Sequence, residues 1–266
     1  MYETTYHRPS SVDEAAALFG KGSESKYLAG GHTLIPVMKM RLASPSDVID
    51  LGRIKELIGI EPTGDGIMIK AATTHYDVAT SDAVKKAIPA LSYLASLIGD
   101  PAVRHRGTIG GSLANNDPAA DYPAAVLALG ATVKTNKRSI SADDFFKGLF
   151  TTALEDGEII TAVSFPVQAK AGYSKFNHPA SRFALTGVFV ARTPGGDVRV
   201  AATGASQNGV MRVSAIEAAL KANWSAGAID GVTISAAGLM SDIHGTSDYR
   251  ANLIKVMAQR AVTGAG

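Results

Sequence analysis

"YLAGGHTLIP" (residues 27–36) breaks off a strand in a way that needs a physical reason. Tyr27, Leu28 and Ala29 read as the end of a buried strand. Gly30 and Gly31 follow, then His32, and a helix-like apolar run, TLIPVMKMRL, takes over with no Lys or Arg within the turn itself. Glycine reaches φ > 0 without strain and has no side chain to hold a ligand away from the backbone. A glycine-rich turn from strand to helix aims successive N–H groups at one point, which suits a phosphate or pyrophosphate. The stretch GTIGGSLANNDPAADYP (107–123) repeats the pattern, with Thr108, Ser112, Asn115 and Asn116 beside its glycines and Arg104 and Arg106 just before it. Two turns of like chemistry favour a dinucleotide site over two structural turns. On that reading, valine at Gly31 or Gly110 fills the ligand's space and leaves most of the fold intact.

Familiar nucleotide signatures do not fit. GTIGGS is not G-x-G-x-x-G, and GKGSES (20–25) lacks the spacing and G-K-[ST] ending of a P-loop. The six histidines never pair at i, i+3 or i, i+4, so no helical metal site is expected. His32, inside the first turn, reads as a loop histidine rather than a base. Asp117 reads as a turn residue before Pro118. Asp121, near the start of the next helix, either caps that helix or accepts hydrogen bonds from a ligand hydroxyl. G-x-S-x-G is absent, so no serine triad can be argued, and no residue is assigned a catalytic role.

Outward from the two turns, Ser11 and Glu14 form a capping box that opens a helix over VDEAAALF, ended by Gly20. Strands are expected at 47–51, 66–72, ATVKT and 157–166, with helices at ALSYLASLI and PAAVLALG. A linker, VQAKAG, precedes strands at YSKFNH, ALTGVFVAR and VRVAATGA and helices at SAIEAALKA and YRANLIKVMAQRAV. Strands and helices mix without strict alternation, which favours α+β. A chain of 266 residues suits two packed domains.

With 46% apolar and 19% charged residues the composition is globular. The net charge of +2 and the scattered basic residues give no footprint for nucleic acid. The N-terminus lacks a signal-peptide pattern, and PAAVLALGATV falls far short of the roughly 20 apolar residues of a membrane span. No membrane span and a cytoplasmic protein are expected. The chain has no cysteine, which excludes disulfides, thiolate catalysis and cysteine-held zinc or iron–sulfur clusters within it.

LAGGHTLIPVMKMRLASPSDVIDLGRI and RHRGTIGGSLANNDPAADYPAAVLALGA together resemble the FAD-binding middle subunit of molybdenum hydroxylases, including carbon monoxide dehydrogenases and xanthine dehydrogenases. The likeness runs from YHRPSSVDEA to YRANLIKVMAQRAV, nearly the whole chain. It implies an α+β fold: a vanillyl-alcohol-oxidase (PCMH)-type FAD-binding domain, residues 1–168, made of two α/β subdomains (about 1–56 and 57–168), followed by a smaller α+β domain, 169–266. Residue by residue, it implies that Leu28, Ala29, Gly30, Gly31, His32, Thr33, Leu34 and Ile35 wrap the pyrophosphate. Thr108, Ile109, Gly110, Gly111 and Ser112, with Asn115 nearby, form a second wall. Asp121 bonds the polar chain of the cofactor, Ile160 packs on it, and Lys175 approaches from the C-terminal domain. Where some members carry a tyrosine over the flavin, this sequence has Phe183, which can stack but brings no hydroxyl.

The resemblance also implies a division of labour. FAD sits on this chain, [2Fe–2S] clusters on a small partner subunit and the molybdopterin cofactor on a large one, in a dimer of heterotrimers. Electrons reach the flavin here and pass to an external acceptor, with Lys175 as a cation favouring the reduced ring. The missing cysteines agree with clusters held elsewhere. Rival readings are a self-contained flavoprotein oxidoreductase of the same fold and a cofactor-free scaffold subunit.

Overall fold

The computed structural model describes residues 1–265 and sets three main sheets along the chain in order. The first unit holds β1 (Thr5–His7), α1 (Val12–Phe19), β2 (Ser25–Leu28), α2 (Leu34–Lys39) and β3 (Asp47–Asp50). Its strands form a parallel sheet in the order β1-β3-β2. Ser11 caps α1 by accepting the Glu14 N–H, as the sequence predicts. The Glu14 carboxylate reaches one residue beyond the ordinary box, to the N–H and hydroxyl of Ser10. Val12 and Ala15 of α1 meet Ile49, Ile54 and Leu57 in a small core. β3 stops at Asp50 because that carboxylate turns back to accept the Gly52 N–H.

The second unit contains β4 (Ile60–Pro62), β5 (Gly66–Lys70), α3 (His75–Thr80), α4 (Asp82–Ala87), α5 (Pro89–Ser96), α6 (Pro101–Arg104), α7 (Ile109–Asn115), α8 (Tyr122–Ala128), β6 (Thr132–Thr135), β7 (Ser139–Ser141), α9 (Ala142–Phe145), β8 (Phe146–Gly148), β9 (Thr151–Thr152) and β10 (Ile160–Pro166). Its main sheet is antiparallel, ordered β4-β5-β10-β6-β7, and β8 and β9 pair as a separate hairpin. The periodicity predicts β5, α5, α8, β6 and β10 and misses α3, α4, α6 and α7. Those helices are too short to show a period. Each is set by its cap instead: Thr74, Ser81, Asp100 and Thr108 all accept the N–H three residues on. Every residue of α8 is buried, because it packs against α5, α7 and α9 of its own unit and against the third unit.

That third unit has β11 (Lys170–Asn177), β12 (Ala184–Arg192), β13 (Val198–Thr203), β14 (Met211–Arg212), α10 (Ser214–Ala222) and α11 (Ser247–Thr263). The sheet is antiparallel in chain order, with α11 across β11 and β12 and α10 against β13. β11 already begins at Lys170, so the connection from β10 is only 167–169 rather than the longer linker expected. β12 is buried from Ala184 to Ala191, which explains its largely apolar sequence. Arg250 of α11 is 2% exposed and donates to the carbonyls of Leu185 and Gly204 and to both Asp242 oxygens. Replacing Arg250 by Met strips two buried carbonyls and a carboxylate of their donor. We expect a loss of about 3 kcal/mol, read as a lower urea midpoint with an unchanged slope.

Candidate functional site

The end of β2 and the approach to α7 meet main chain to main chain. A Cβ on Gly30 would stand 2.2 Å from the Arg106 carbonyl oxygen and 2.7 Å from Gly107 Cα, so only glycine allows this contact. One turn further, a Cβ on Gly111 would lie 3.6 Å from that of Ala29. The two glycine stretches, some 80 residues apart in sequence, therefore form one surface. Gly31 has φ +80°, a conformation side chains resist. Among the described residues, no acceptor takes the N–H groups of Gly30, Gly31, His32, Thr33 or Leu34. Thr33 precedes α2 without capping it. Five consecutive free donors beside an open, glycine-lined turn fit the pyrophosphate of a dinucleotide. His32 and Thr33 are exposed there, and Leu34 and Ile35 are half-buried.

The second stretch is built differently from the sequence expectation. Thr108 caps α7 by accepting the Gly111 N–H. The N–H groups of Ile109, Gly110 and Ser112 go to the carbonyls of Thr73, Ala71 and Thr108. Its amides mainly hold the turn itself, leaving the Thr108 N–H and the Ser112 hydroxyl without protein partners among the described residues. Ile109 is fully buried in the core beside Leu113. The reading of Gly110 as room for a ligand is corrected: its missing side chain makes room for Ala71, whose Cβ and carbonyl would lie 2.6 and 2.8 Å from a Cβ there. Gly107 likewise clears space for His75, with a Cβ position 2.5 Å from Nε2. His75 is 5% exposed, and burial pushes its imidazole down to about 4, helped by His32 and Arg104.

At the junction with the third unit, Asp121 and Lys175 form a buried pair, with Nζ 3.0 and 3.2 Å from the two carboxylate oxygens. Lys175 also donates to Leu97 O at 2.9 Å, and the Tyr173 hydroxyl donates to Asp121 Oδ1 at 2.5 Å. Of the two roles left open for Asp121, capping is not realised, since its side chain makes no bond to its own helix. Burial pushes the Asp121 carboxyl up, and Lys175 and Tyr173 oppose the rise. Leu97, Arg104, Asn177, His178 and Arg182 line a cavity of about 430 Å³ between the second and third units.

The structure thus brings together residues 28–35 with 107–112, and Asp121 with Lys175. Ile160 sits in the core at the start of β10, and Phe183 is half-exposed in the loop before β12. Asn115 ends α7 half-buried. Its neighbour Asn116, left-handed and buried, turns inward and donates to the carbonyls of Gly148 and Thr151. Tyr173 and His75 escape sequence reasoning, because a tyrosine on a strand and a lone histidine carry no signal of their partners.

The family described as the FAD binding domain in molybdopterin dehydrogenase matches residues 2–168. The carbon monoxide dehydrogenase medium chain of Hydrogenophaga pseudoflava is 34% identical over 98% of this chain and 96% of its own length. The nicotine 6-hydroxylase medium subunit of Paenarthrobacter nicotinovorans is 36% identical over the same shares. Among solved structures, reconstituted CO dehydrogenase from Oligotropha carboxidovorans superposes with a TM-score of 0.88 at 33% identity, covering 98% of this chain and 96% of that one.

The buried His75 has a pH consequence. Its folded value lies below its ordinary 6.5, so the unfolded chain binds the extra proton first and stability falls as pH drops from about 6.5 toward 4. The loss reaches about 3 kcal/mol, and a His75→Gln variant should lack this segment of the stability–pH curve in urea titrations. Gly110→Val should fail at folding rather than at binding, giving insoluble chain or a collapsed thermal transition.

Proposed function

The chain belongs to the family of FAD-binding domains of molybdopterin dehydrogenases, and on that premise we propose that it passes electrons from a partner's [2Fe–2S] clusters to an external acceptor. It is the FAD-binding medium subunit of a molybdenum hydroxylase, with the α+β fold of the vanillyl-alcohol-oxidase type. When bound, FAD supplies the exchange between one-electron donors and a two-electron acceptor. The clusters belong on a small subunit and the molybdenum cofactor on a large one, in a dimer of heterotrimers. The carrying observation is the row of five unpaired N–H donors at Gly30–Leu34, together with a chain that has no cysteine to hold a cluster.

The residues divide the work. Gly30 to Leu34 would hold the pyrophosphate by main chain, with Leu28, Ala29 and Ile35 packing the turn from below. Thr108 and Ser112 would offer the remaining polar contacts from the second stretch. Asp121 would accept from the hydroxyls of the cofactor's polar chain, and Lys175 holds that carboxylate in place. Because Lys175 is paired at 3.0 Å, most of its charge is neutralised, so it orients the site more than it adds a net positive field. Phe183 can cover a ring by stacking and cannot donate to it.

Two measurements test this reading. Apo chain titrated with FAD should bind one equivalent, and acid precipitation should release the colour because no thiol is present for a thioether. Gly31→Val, strained at φ +80° and crowded against Ile35, should weaken binding by at least about tenfold, ~1.4 kcal/mol, and should lower the thermal midpoint of the apo chain while leaving a cooperative transition. Native mass spectrometry of the complex from its source should show this chain with an iron-containing and a molybdenum-containing partner. A source complex lacking both, or a chain that turns over substrate alone, would give the self-contained flavoprotein first place.

A further inference from the structure

β12 carries Gly187 in the middle of a largely apolar strand that is buried from Ala184 to Ala191. Glycine in a strand interior weakens it and marks a close approach. The approaching group is Tyr173: a Cβ on Gly187 would lie 2.4 Å from its hydroxyl oxygen and 3.2 Å from Cζ. In the register of β11 and β12, Tyr173 stands opposite Phe189, and Lys175 opposite Gly187. The tyrosine ring leans from the first position toward the second, 5.9 Å from the Phe189 ring, and its hydroxyl ends against Asp121. Burial keeps this phenol protonated, so it is the donor.

We propose that Tyr173 is a positioning residue of the cofactor site, its hydroxyl seated over Gly187 to fix the Asp121 carboxylate as an acceptor for the cofactor's polar chain. The inference rests on the flavin reading above. A carboxylate offers about four acceptor directions. The Tyr173 hydroxyl takes one at Oδ1 and Lys175 takes one at Oδ2, with Nζ also 3.0 Å from Oδ1 as an ion pair, which leaves Oδ2 a free direction. Without the phenol the carboxylate can swing about Lys175, and it loses a donor to its charged form. The other titratable groups around this cluster are Tyr122 on α8, with the His75 ring 5.4 Å away, and Tyr93 facing Tyr173 from α5.

The test uses the full chain, FAD as the probe and two substitutions made singly and together. Tyr173→Phe removes the hydroxyl and keeps the ring. Gly187→Ala keeps every polar group and displaces the hydroxyl. Each should raise the Kd for FAD about tenfold, and each should shift upward the pH at which flavin is lost on acidification, since the carboxyl then protonates more readily. The double variant should be no worse than either single one, because both changes act through one hydroxyl. Singles whose Kd and pH midpoint match the parent, or singles whose effects add, overturn the proposal. Should Gly187→Ala fail to fold, Tyr173→Phe decides by the same two readouts. A parent chain that binds no FAD refutes the flavin reading instead, and that outcome is distinct from both.

Discussion

The contact at Gly30 is where the site begins. A hydrogen atom there lets the end of a parallel strand rest on the Arg106 carbonyl, and any side chain would separate them. β2 belongs to the first unit and residues 106–108 to the second, so this touch aligns two sheets of different kinds. The amides from Gly30 to Leu34 have no acceptor among the described residues. Gly107 and Gly110 extend the same device, one over His75 and one over Ala71, and keep α7 close to the core. Close packing of this order leaves no slack for a larger residue.

The rest of the site depends on how the third unit grips α8. At the start of the helix, Lys175 and Tyr173 hold Asp121. Just before it, Thr203 donates to the carbonyls of Pro118 and Ala120, and the Gly204 N–H to Pro118. At its end, Arg199 donates twice to the Leu127 carbonyl and once to Asp143, a favourable place for a cation near unpaired helix carbonyls. Main-chain carbonyls held at both ends of a buried helix make this junction a rigid joint. The geometry around Asp121 is therefore set by the fold before any ligand arrives.

Much of this was legible in the residues, and the failures have physical causes. Strong periodicity exposed α1, α5, α8, α10, α11 and the long strands, and Gly30-Gly31 marked an unusual turn. The short helices α3, α4, α6 and α7 were invisible to periodicity, although their caps at Thr74, Ser81, Asp100 and Thr108 were present in the sequence. The glycines of 107–111 looked like those of 30–31, yet composition does not distinguish room for a ligand from room for Ala71 or His75. Asp121 could be flagged as polar and near a helix start. Its partners come from 52 and 54 residues further on, and a pairing at that distance leaves no local trace. Gly187 in an apolar strand was a visible signal whose meaning lay in Tyr173, on the neighbouring strand.

The antiparallel sheet also imposes an order of events. β5 pairs with β10, Ile67 opposite Phe165, so the centre of that sheet closes a loop of nearly a hundred residues. The first unit waits on the same stretch, for Ile159 completes its core and the Tyr27 hydroxyl donates to Gly157. A ribosome adding about 5–20 residues per second needs several seconds to deliver β10 after β5 has emerged. Until then the apolar strand GIMIK has β4 on one edge and nothing on the other. The first unit cannot complete its core without Ile159, and until β10 arrives the nascent chain carries an open sheet edge, an aggregation hazard.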